Sequence, residues 1–396
     1  MKVLIIVDNH VDTDPRVINQ WEALKMHAQI YFMANSVKTI PCKHFFKLSK
    51  ITRKYQFHYN YPYFVRKVVT LFLLTYKALL KFIARFKYEN PYERRYWKHV
   101  KKDFLNHIKK NYSFDVIIAN DINTLPIAAF LKKDNTKLIF DAHEYFLDED
   151  ETVEFKKHEV PYLRYLIDTY IRYVDVFITV GDKIASCFQE VLNLNYKPAV
   201  VFNAKPYHDY KPSPVSPQKI RMVHHGVAIP NRKLDYLIEV LKHLPDTFEL
   251  HLYLNIIDHK YYKYFYKKYN KTNRLYIHDA VPFEKIIPTI HQYDIGIFLS
   301  NNKSSNSEYC LPNKFFEFIQ ARLMLVMSPF YEVKNLIDRY KNGIIVFGSP
   351  EDIANTIKSL TPEQIETYKW NSNIAAKELS VEKEWEKIRK LVGIQP

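Results

Sequence analysis

The chain of 396 residues is short of glycine and cysteine, and it has no long apolar run. Its six glycines are so widely spaced that no G-x-G-x-x-G pattern is present. Gly343 and Gly348 have the spacing of a phosphate-binding P-loop, but Ser349-Pro350 follows where that loop needs Lys and Ser or Thr. The sequence therefore argues against both an ordinary dinucleotide-binding Rossmann site and a Walker-type ATPase.

The three cysteines, at positions 42, 187 and 310, lie far apart and form no C-x-x-C or zinc-ligand spacing. This usage favours a reducing compartment over a disulfide-stabilised secreted protein. The N-terminal stretch KVLIIVD (2–8) reads as a buried strand because its apolar run is too short for a signal peptide. We therefore expect a cytoplasmic protein.

Acidic residues are scarce between Lys43 and Lys110, where three of them stand against eighteen lysines and arginines. This segment holds the whole formal excess of +15, since the rest of the chain is balanced. Within residues 65–87 the longest uncharged run, at 68–76, is too short to span a bilayer. As a helix, the stretch would carry its cations on one face.

Such a helix would suit an anionic membrane interface, and the Tyr, Trp and Arg residues of 91–102 would suit lipid headgroups. We predict contact with an anionic membrane surface through residues 65–102, peripheral at the inner face of the cell membrane. The alternative is a core-facing helix with solvated lysines.

Short apolar segments alternate with helical patterns along the rest of the chain, which predicts α/β architecture with parallel sheets covered on both faces. The first set of predicted strands comprises 2–8, 115–120, 137–142, 175–180 and 199–203. After a proline-rich linker at 204–219, the second set comprises 220–226, 249–255, 274–280, 294–300, 323–328 and 343–348. Ligands of such sheets bind at the carboxyl ends of the strands.

The stretch LPNKFFEF (311–318) predicts a helix that begins at Pro312-Asn313 and turns toward a core. Lys314 and Glu317 are three residues apart and would share a face near the helix start. Backbone N–H groups and the helix dipole favour an anion there. We therefore expect a ligand that carries a phosphate with a polar group beside it.

Six segments in order along the chain resemble family-4-type bacterial glycosyltransferases of the GT-B fold. They are DPRV (14–17), DAHEYF (141–146), VFNA (201–204), HG (225–226) with RKL (232–234), DAVP (279–282) with YDIG (293–296), and LPNKFFEF. The resemblance implies two Rossmann-like α/β domains that face each other across a cleft. It divides the chain into an acceptor-binding domain (1–203, with a basic insertion at about 43–110), the linker (204–219), a donor domain (220–375) and a C-terminal helical segment (376–396) that packs on the first domain.

The resemblance also implies a reaction, in which a sugar moves from a UDP- or GDP-linked donor to a hydroxyl of a glycan or lipid-linked acceptor. Members of this family retain the anomeric configuration and need no cofactor or bound metal, because cations and helix N–H groups stabilise the diphosphate leaving group. Bacterial surface polysaccharide synthesis, such as that of lipopolysaccharide or capsule, is the expected context. Nucleic acid is not an expected partner.

The donor-binding residues implied by the resemblance are Arg232, Val281, Asn313, Lys314 and Glu317. Glu317 would accept hydrogen bonds from the ribose, and Lys314 and Arg232 would bind the diphosphate. The family often has a second glutamate eight positions before Glu317, where this chain has Tyr309. Either Glu308 takes the role beside the donor sugar, or the role is absent.

Catalytic roles are implied for His143, together with Glu308, and acceptor-side roles for Asp14, Arg16 and Glu144. For Asp14 and Arg16 the alternative is a helix N-cap and a salt bridge. Asp12-Thr13-Asp14 and Asp148-Glu149-Asp150 have D-x-D form, but such spacings are common by chance, and we predict no metal site there. His224-His225 is interpreted as a strand end and loop.

Two other functions fit parts of the sequence. A nucleotide-sugar epimerase of the same fold would leave the basic amphipathic segment unexplained. A non-enzymatic nucleic-acid-binding protein that uses the basic 43–110 region would leave the donor-site pattern unexplained.

Overall fold

The computed structural model describes residues 1–48, 90–98, 100–150, 152–232, 234–300, 308–309 and 311–394. The amphipathic stretch predicted at 65–87 lies outside these residues. Contacts within the chain divide it into two compact units. One runs from Met1 to Ile178 and includes the end of the chain from Arg389, and the other runs from Thr179 to Ile388.

The first sheet has seven strands in the order β3-β2-β1-β4-β5-β6-β7. Their bounds are β1 Lys2–Val7, β2 Gln29–Ala34, β3 His44–Lys47, β4 Val116–Asn120, β5 Lys137–Ala142, β6 Val176–Thr179 and β7 Ala199–Val200. β1 pairs in parallel with both β2 and β4, and β4 pairs in parallel with β5. Because the central strands are buried on both faces, they read as continuous apolar runs in the sequence.

Helices connect these strands, as parallel pairing requires. They are α1 Pro15–Leu24, α2 Pro91–Trp97, α3 Lys102–Asn111, α4 Leu125–Leu131, α5 Val160–Tyr170 and α6 Asp182–Val191. Short 3-10 turns lie at Val11–Thr13, Phe146–Asp148 and Ile171–Tyr173, and a π-helical turn lies at Phe155–Glu159. Asp14 caps the start of α1, where its carboxylate accepts hydrogen bonds from backbone N–H groups.

The second sheet has six strands in the order β10-β9-β8-β11-β12-β13, and every pairing is parallel. Their bounds are β8 Ile220–Val227, β9 Phe248–Asn255, β10 Leu275–Asp279, β11 Ile295–Phe298, β12 Met324–Met327 and β13 Gly343–Ile345. The helices are α7 Leu234–Lys242, α8 His259–Tyr269, α9 Ile286–Ile290, α10 Asn313–Gln320, α11 Tyr331–Tyr340, α12 Pro350–Lys358, α13 Pro362–Glu378 and α14 Val381–Val392. Pro230–Arg232 and Phe283–Lys285 are 3-10 turns.

Two apolar clusters cover the two faces of the second sheet. α7 and α12 belong to one cluster, while α10 and part of α13 belong to the other. Gly296 on β11 lets α10 lie close to the sheet, because a Cβ at this position would come 2.4 Å from Cγ of Phe318. This close packing fixes the position of the α10 start near the carboxyl end of β8.

Candidate functional site

The helix α10 begins where the LPNKFFEF pattern predicts, with Pro312 as its extended N-cap residue. Pro312 provides no side-chain hydrogen bond to its first turn. Phe315, Phe316 and Phe318 are completely buried and anchor the helix in the core. The prediction of a core-directed helix is therefore confirmed. Phe315 N–H donates to the Pro312 carbonyl at 2.9 Å, so the N–H groups of Asn313 and Lys314 are the first-turn donors that could face a ligand.

Glu317 is the buried carboxylate of this helix, with 3% of its surface exposed. Its Oε1 lies 3.6 Å from Lys205 Nζ, and its Oε2 lies 3.1 Å from His225 Nε2. The His225 contact has the distance of an ion pair but not the angle of a hydrogen bond. Burial alone would raise the pKa of Glu317, yet His225, Lys205 and Lys314 outweigh it and lower the pKa to about 2. Glu317 is therefore ionised at neutral pH and can act only as an acceptor.

Lys314 lies one turn before Glu317, with its Nζ 4.7 Å from the ring centre of Phe298. A Cβ on Gly226 would come 3.2 Å from this Nζ, and φ of Gly226 is +151°. Burial lowers the pKa of Lys314 to about 8, with Glu317 opposing the shift and Arg232 adding to it. A cation this poorly solvated at a helix start would be stabilised by an anion.

Arg232 ends the Pro230–Arg232 turn and is exposed. Neither Arg232 nor Lys314 has a carboxylate within ion-pair distance in the part of the chain that the structure describes. Burial is the main cause of the lowered pKa of Lys314, and the charge of Arg232 adds to it. The two cations predicted for the donor site, Lys314 and Arg232, therefore lie close enough for the charge of one to affect the other.

Asn313 connects the start of α10 to the linker. Its Oδ1 accepts hydrogen bonds from Asn203 Nδ2 and Lys205 Nζ, both at 3.1 Å. The Phe283 ring lies 4.6 Å from Lys205 Nζ, and it belongs to the loop that includes the half-buried Val281. The structure therefore brings the loop after β10 and the linker to the same end of α10.

His224 precedes His225 on β8 and is buried against Phe298, whose ring is stacked at 6.0 Å. Burial, together with the charge of Lys314, holds its pKa well below the usual range, so His224 is neutral. Its Nδ1 lies 3.0 Å from the Ile297 carbonyl and must donate to it. Both histidines lie within β8, and the interpretation of His225 as part of a loop is wrong.

Glu308 is exposed in a short helical stretch with Tyr309. The Tyr309 ring lies 6.4 Å from Tyr331 and 5.3 Å from Lys183 Nζ. Within the described residues no hydrogen bond or ion pair joins Glu308 to Glu317 or Lys314. Its role beside a donor sugar stays a prediction.

In the first unit, the predicted catalytic residue His143 follows β5 and is partly buried. Its Nε2 lies 2.9 Å from Asn120 Oδ1, and its Nδ1 lies 3.5 Å from Asp121 Oδ2. Asp121, with φ of +63°, also accepts a hydrogen bond from the His143 backbone N–H. Burial raises the pKa of Asp121, an effect limited by the half of its side chain that is open to solvent.

The residues predicted for the acceptor side have other partners. Arg16 is 5% exposed, and its guanidinium forms a two-point ion pair with Asp141, at 2.9 and 2.8 Å. Asp14 accepts hydrogen bonds from the N–H groups of Arg16 and Val17, at 3.0 and 3.3 Å. The structure thus shows the N-cap and the salt bridge of the alternative, and an acceptor-side role for Asp14 and Arg16 stays a prediction. Glu144 is exposed.

The carboxylates of Asp12 and Asp14, in the first D-x-D sequence, accept hydrogen bonds from backbone N–H groups. Asp12 accepts hydrogen bonds from the backbone of Lys38, Thr39 and Ile40 and from the Thr39 hydroxyl. Burial would raise its pKa, but these donors lower it to about 2. Over the described ranges, no group of three or more His, Cys, Asp or Glu residues has the arrangement of a metal site.

The aromatic residues of 91–102 contribute to the interior of the first unit. Tyr96 and Trp97 are buried, and Trp97 Nε1 donates to Tyr170 at 3.1 Å. Arg95 pairs with Glu159 and lies 3.8 Å from the Tyr162 ring. Tyr96 and Trp97 are therefore not available to lipid headgroups, whereas Arg95 and Lys98 are exposed, and the predicted membrane contact of this segment stays a prediction. Among the residues that the structure describes, no helix has both the length and the hydropathy needed to cross a bilayer.

Neither a protein-family model nor a curated protein sequence matches the chain significantly. Solved structures do. Anabaena Alr3699/HepE with UDP matches at TM-score 0.67 and 12% identity over 98% of this chain and 99% of that one. WaaG, a glycosyltransferase involved in lipopolysaccharide biosynthesis, matches at 0.60 and 10% over 99% and 100%. Staphylococcus aureus TarM, solved with UDP and a glycan, matches at 0.57 and 14% over 73% of this chain and 58% of that one.

These likenesses, together with the two parallel sheets, confirm the predicted α/β fold of the GT-B class. The sequence identities are too low to show more than the fold.

Sequence reasoning missed the residues that support the predicted ones. Lys205 and His225 hold Glu317, and Gln20 and Asn120 connect Asp141 to His143. His225 could have been found, since its position directly before Gly226 at the end of a buried strand indicates the carboxyl edge of the sheet. Lys205 carried no such signal, because it belongs to a proline-rich linker.

Proposed function

We propose that the chain is a glycosyltransferase that moves a sugar from a nucleoside diphosphate sugar to a hydroxyl of a glycan or lipid-linked acceptor. The observation that carries the proposal is the charge pattern at the start of α10. Ionised Glu317 lies one turn from the partly buried Lys314, which shares its surroundings with Arg232. A nucleoside diphosphate supplies both complements, ribose hydroxyls for the carboxylate and phosphates for the cations.

In this proposal Lys314, Arg232 and the N–H groups of Asn313 and Lys314 at the start of α10 bind the diphosphate. Negative charge grows on it as the glycosidic bond breaks, and fixed positive groups stabilise that charge without reorganisation. Glu317 accepts hydrogen bonds from the ribose, while Val281 and Asn313 border the nucleotide. We favour UDP over GDP as the carrier, since the HepE and TarM structures contain UDP.

The proposal extends to three further properties. The transfer retains anomeric configuration and needs no metal, with His143 and Glu308 beside the reacting sugar. The acceptor belongs to a bacterial surface polysaccharide or its lipid-linked precursor, a context supported by the likeness to WaaG. The enzyme acts in the cytoplasm at the inner face of the membrane, through the basic segment in residues 65–102.

Thermal unfolding of the whole chain with UDP, GDP, ADP or CMP tests the proposal. A ligand at about 100 times its Kd stabilises the folded state by roughly 2.7 kcal/mol. We expect UDP to raise the Tm of the wild type and of Glu351→Gln, an exposed control on α12, but to raise that of Glu317→Gln much less. A folded wild type that responds to none of the nucleotides would contradict the proposal. If one nucleotide does raise the Tm, its base determines which nucleotide sugars to use in a transfer assay.

A further inference from the structure

A continuous chain of buried hydrogen bonds runs from Arg16 to His143 within the first unit. Arg16 donates to both oxygens of Asp141, and Gln20 Nε2 donates to Asp141 Oδ2 at 2.7 Å. The same Gln20 nitrogen donates to Asn120 Oδ1 at 2.7 Å, and Asn120 Nδ2 donates to Gln20 Oε1 at 3.0 Å. Asn120 Oδ1 then faces His143 Nε2 at 2.9 Å.

The polarity of this chain is fixed at its first member. A guanidinium is a donor only, so Asp141 is an ionised acceptor and cannot donate to Gln20. Gln20 must therefore turn its Nε2 toward Asp141, which leaves its Oε1 to accept from Asn120. Asn120 must therefore donate from its Nδ2 to Gln20 Oε1, and its Oδ1 is the acceptor that faces His143.

A second contact fixes Asn120 independently. Its Nδ2 lies 3.2 Å from the Ile6 carbonyl on β1, and a carbonyl can only accept. Turning the Asn120 amide over would place an oxygen against this carbonyl and against Gln20 Oε1. The ring nitrogen of His143 that meets Asn120 Oδ1 must therefore carry a hydrogen.

We propose that Arg16, Asp141, Gln20 and Asn120 are positioning residues that fix neutral His143 in the Nε2–H tautomer. Nδ1 is then the nitrogen with a lone pair, and it accepts a hydrogen bond from a sugar hydroxyl rather than donating one. The ligand part of this inference rests on the proposed function, whereas the tautomer does not. Arg16 and Asp141 thus act on a substrate through the imidazole and not by contact.

Asp121 is the competing influence, because a carboxylate favours a hydrogen on the nitrogen it faces. Its Oδ2 lies 3.5 Å from His143 Nδ1, at the limit of a hydrogen bond, and 48% of its side chain is exposed to solvent. The Asn120 contact is 0.6 Å shorter and belongs to a buried network. The shorter contact decides the tautomer, and Asp121 is placed to pair with the ring once Nδ1 is protonated.

Nitrogen NMR of the whole protein, with ¹⁵N in its histidine rings, tests the tautomer directly without any substrate. The His143 signals are those among the sixteen histidines that vanish in His143→Gln. Well above the usual histidine pKa of about 6.5, we expect a protonated Nε2 and an unprotonated Nδ1 in the wild type. A wild-type spectrum with hydrogen on Nδ1 would overturn the inference and leave the proposed function untouched.

Two substitutions at one position sharpen the test. Asn120→Leu removes the acceptor, and we expect the hydrogen to move to Nδ1, opposite Asp121. Asn120→Asp keeps an oxygen acceptor for Nε2 and, as a protonated carboxyl that donates from its other oxygen to the Ile6 carbonyl or Gln20 Oε1, should keep the Nε2–H form. An unchanged tautomer in folded Asn120→Leu would mean that Asn120 does not set it; if neither variant folds, the wild-type spectrum decides.

Kinetics supply the readout of function. With the UDP-sugar that the wild type uses, we expect Asn120→Leu to lower kcat by about tenfold with little change in the donor KM, and Asn120→Asp to recover part of the loss. Equal loss in both variants would contradict positioning through Nε2. Failure of the wild type to bind any nucleotide would instead remove the proposed function and leave the tautomer standing.

Discussion

The two polar clusters at the carboxyl ends of the two sheets differ in how their charges are balanced. In the first unit, Arg16 and Asp141 neutralise each other in a buried two-point pair. In the second unit, Lys205 and Lys314 act on Glu317, Arg232 acts on Lys314, and burial lowers the pKa of both lysines. The charges of the first cluster are paired with each other, while the second cluster has more positive than negative groups.

This difference separates two ways in which a fold prepares a site. A balanced network gains nothing from an added anion, so its contribution is to hold a neighbouring side chain in one orientation. An unbalanced cluster is destabilised by desolvation and repulsion until an anion arrives, and that stored free energy becomes binding free energy. Substitutions that remove a charge should therefore have different effects in the two units.

The largest expected effects come from neutralising the buried carboxylates. Asp141→Asn and Glu317→Gln should each lower the free energy of unfolding by roughly 3–5 kcal/mol, since each leaves a buried cation unpaired. Only Glu317→Gln should also weaken UDP binding. Chemical denaturation and calorimetric titration measure the two quantities, with Glu351→Gln as the exposed control.

Equal losses of UDP affinity in Asp141→Asn and Glu317→Gln would erase the distinction between the clusters. A Glu317→Gln protein as stable as the wild type would show that Lys205 does not need its partner.

Lys314→Met should weaken UDP binding without lowering the stability of the free protein. Removing a poorly solvated cation leaves the free protein as stable as before or more so, while UDP binding loses about 2 kcal/mol for one charge-assisted contact. Inorganic pyrophosphate separates the phosphate contacts of the site from the ribose contact. Lys314→Met should bind pyrophosphate more weakly than the wild type does, whereas Glu317→Gln should bind it equally well, because pyrophosphate has no ribose.

Lys334→Met, an exposed lysine on α11, is the matched control and should bind both ligands normally. Undiminished pyrophosphate affinity in Lys314→Met would remove Lys314 from the phosphate site.

The lowered pKa of Lys314 predicts how UDP affinity and the stability of the unliganded protein depend on pH. Free Lys314 loses its proton as the pH rises through about 8, and UDP must then restore it. UDP affinity should therefore fall above pH 8, by up to about tenfold per pH unit. The unfolded chain binds more protons between about 8 and the ordinary value of 10.5, so the unliganded protein should become more stable over that range.

Lys314→Arg provides the control, because a guanidinium stays charged throughout. Its UDP affinity should be flat above pH 8. A sloping profile in this variant would assign the titration to another group.

The sequence predicted the strands that are buried on both faces, since β1, β4, β5 and β11 appear as continuous apolar runs. It missed β2 and β3. The β2 segment QIYFMA is polar at its start, and β3 alternates between exposed and half-buried residues at the sheet edge. β3, at the sheet edge, takes its structure from its neighbour β2 rather than from its own pattern.

The same limit applies to the sites. Glu317 and Lys314 could be predicted because both lie on one short helix with a clear apolar face. Their partners Lys205 and His225 are separated from Glu317 by 112 and 92 positions, and only the fold brings them together. For Asp14 and Arg16 the sequence allowed two roles. The structure shows the N-cap and the buried Arg16–Asp141 pair, while contact with an acceptor stays a prediction.

The smallest expected effect tests whether Asp14 acts as an N-cap alone. Asp14→Ala removes the N-cap of α1 and should lower the free energy of unfolding by about 1 kcal/mol. Asp14→Ser should restore most of this loss, because a hydroxyl can accept the same backbone hydrogen bonds without carrying charge. Transfer activity should follow stability in both variants. If Asp14→Ser folds as stably as the wild type but transfers sugar poorly, Asp14 contacts a substrate. The polar cluster of the first unit would then bind a ligand directly, and its charges would not be balanced by partners within the chain alone.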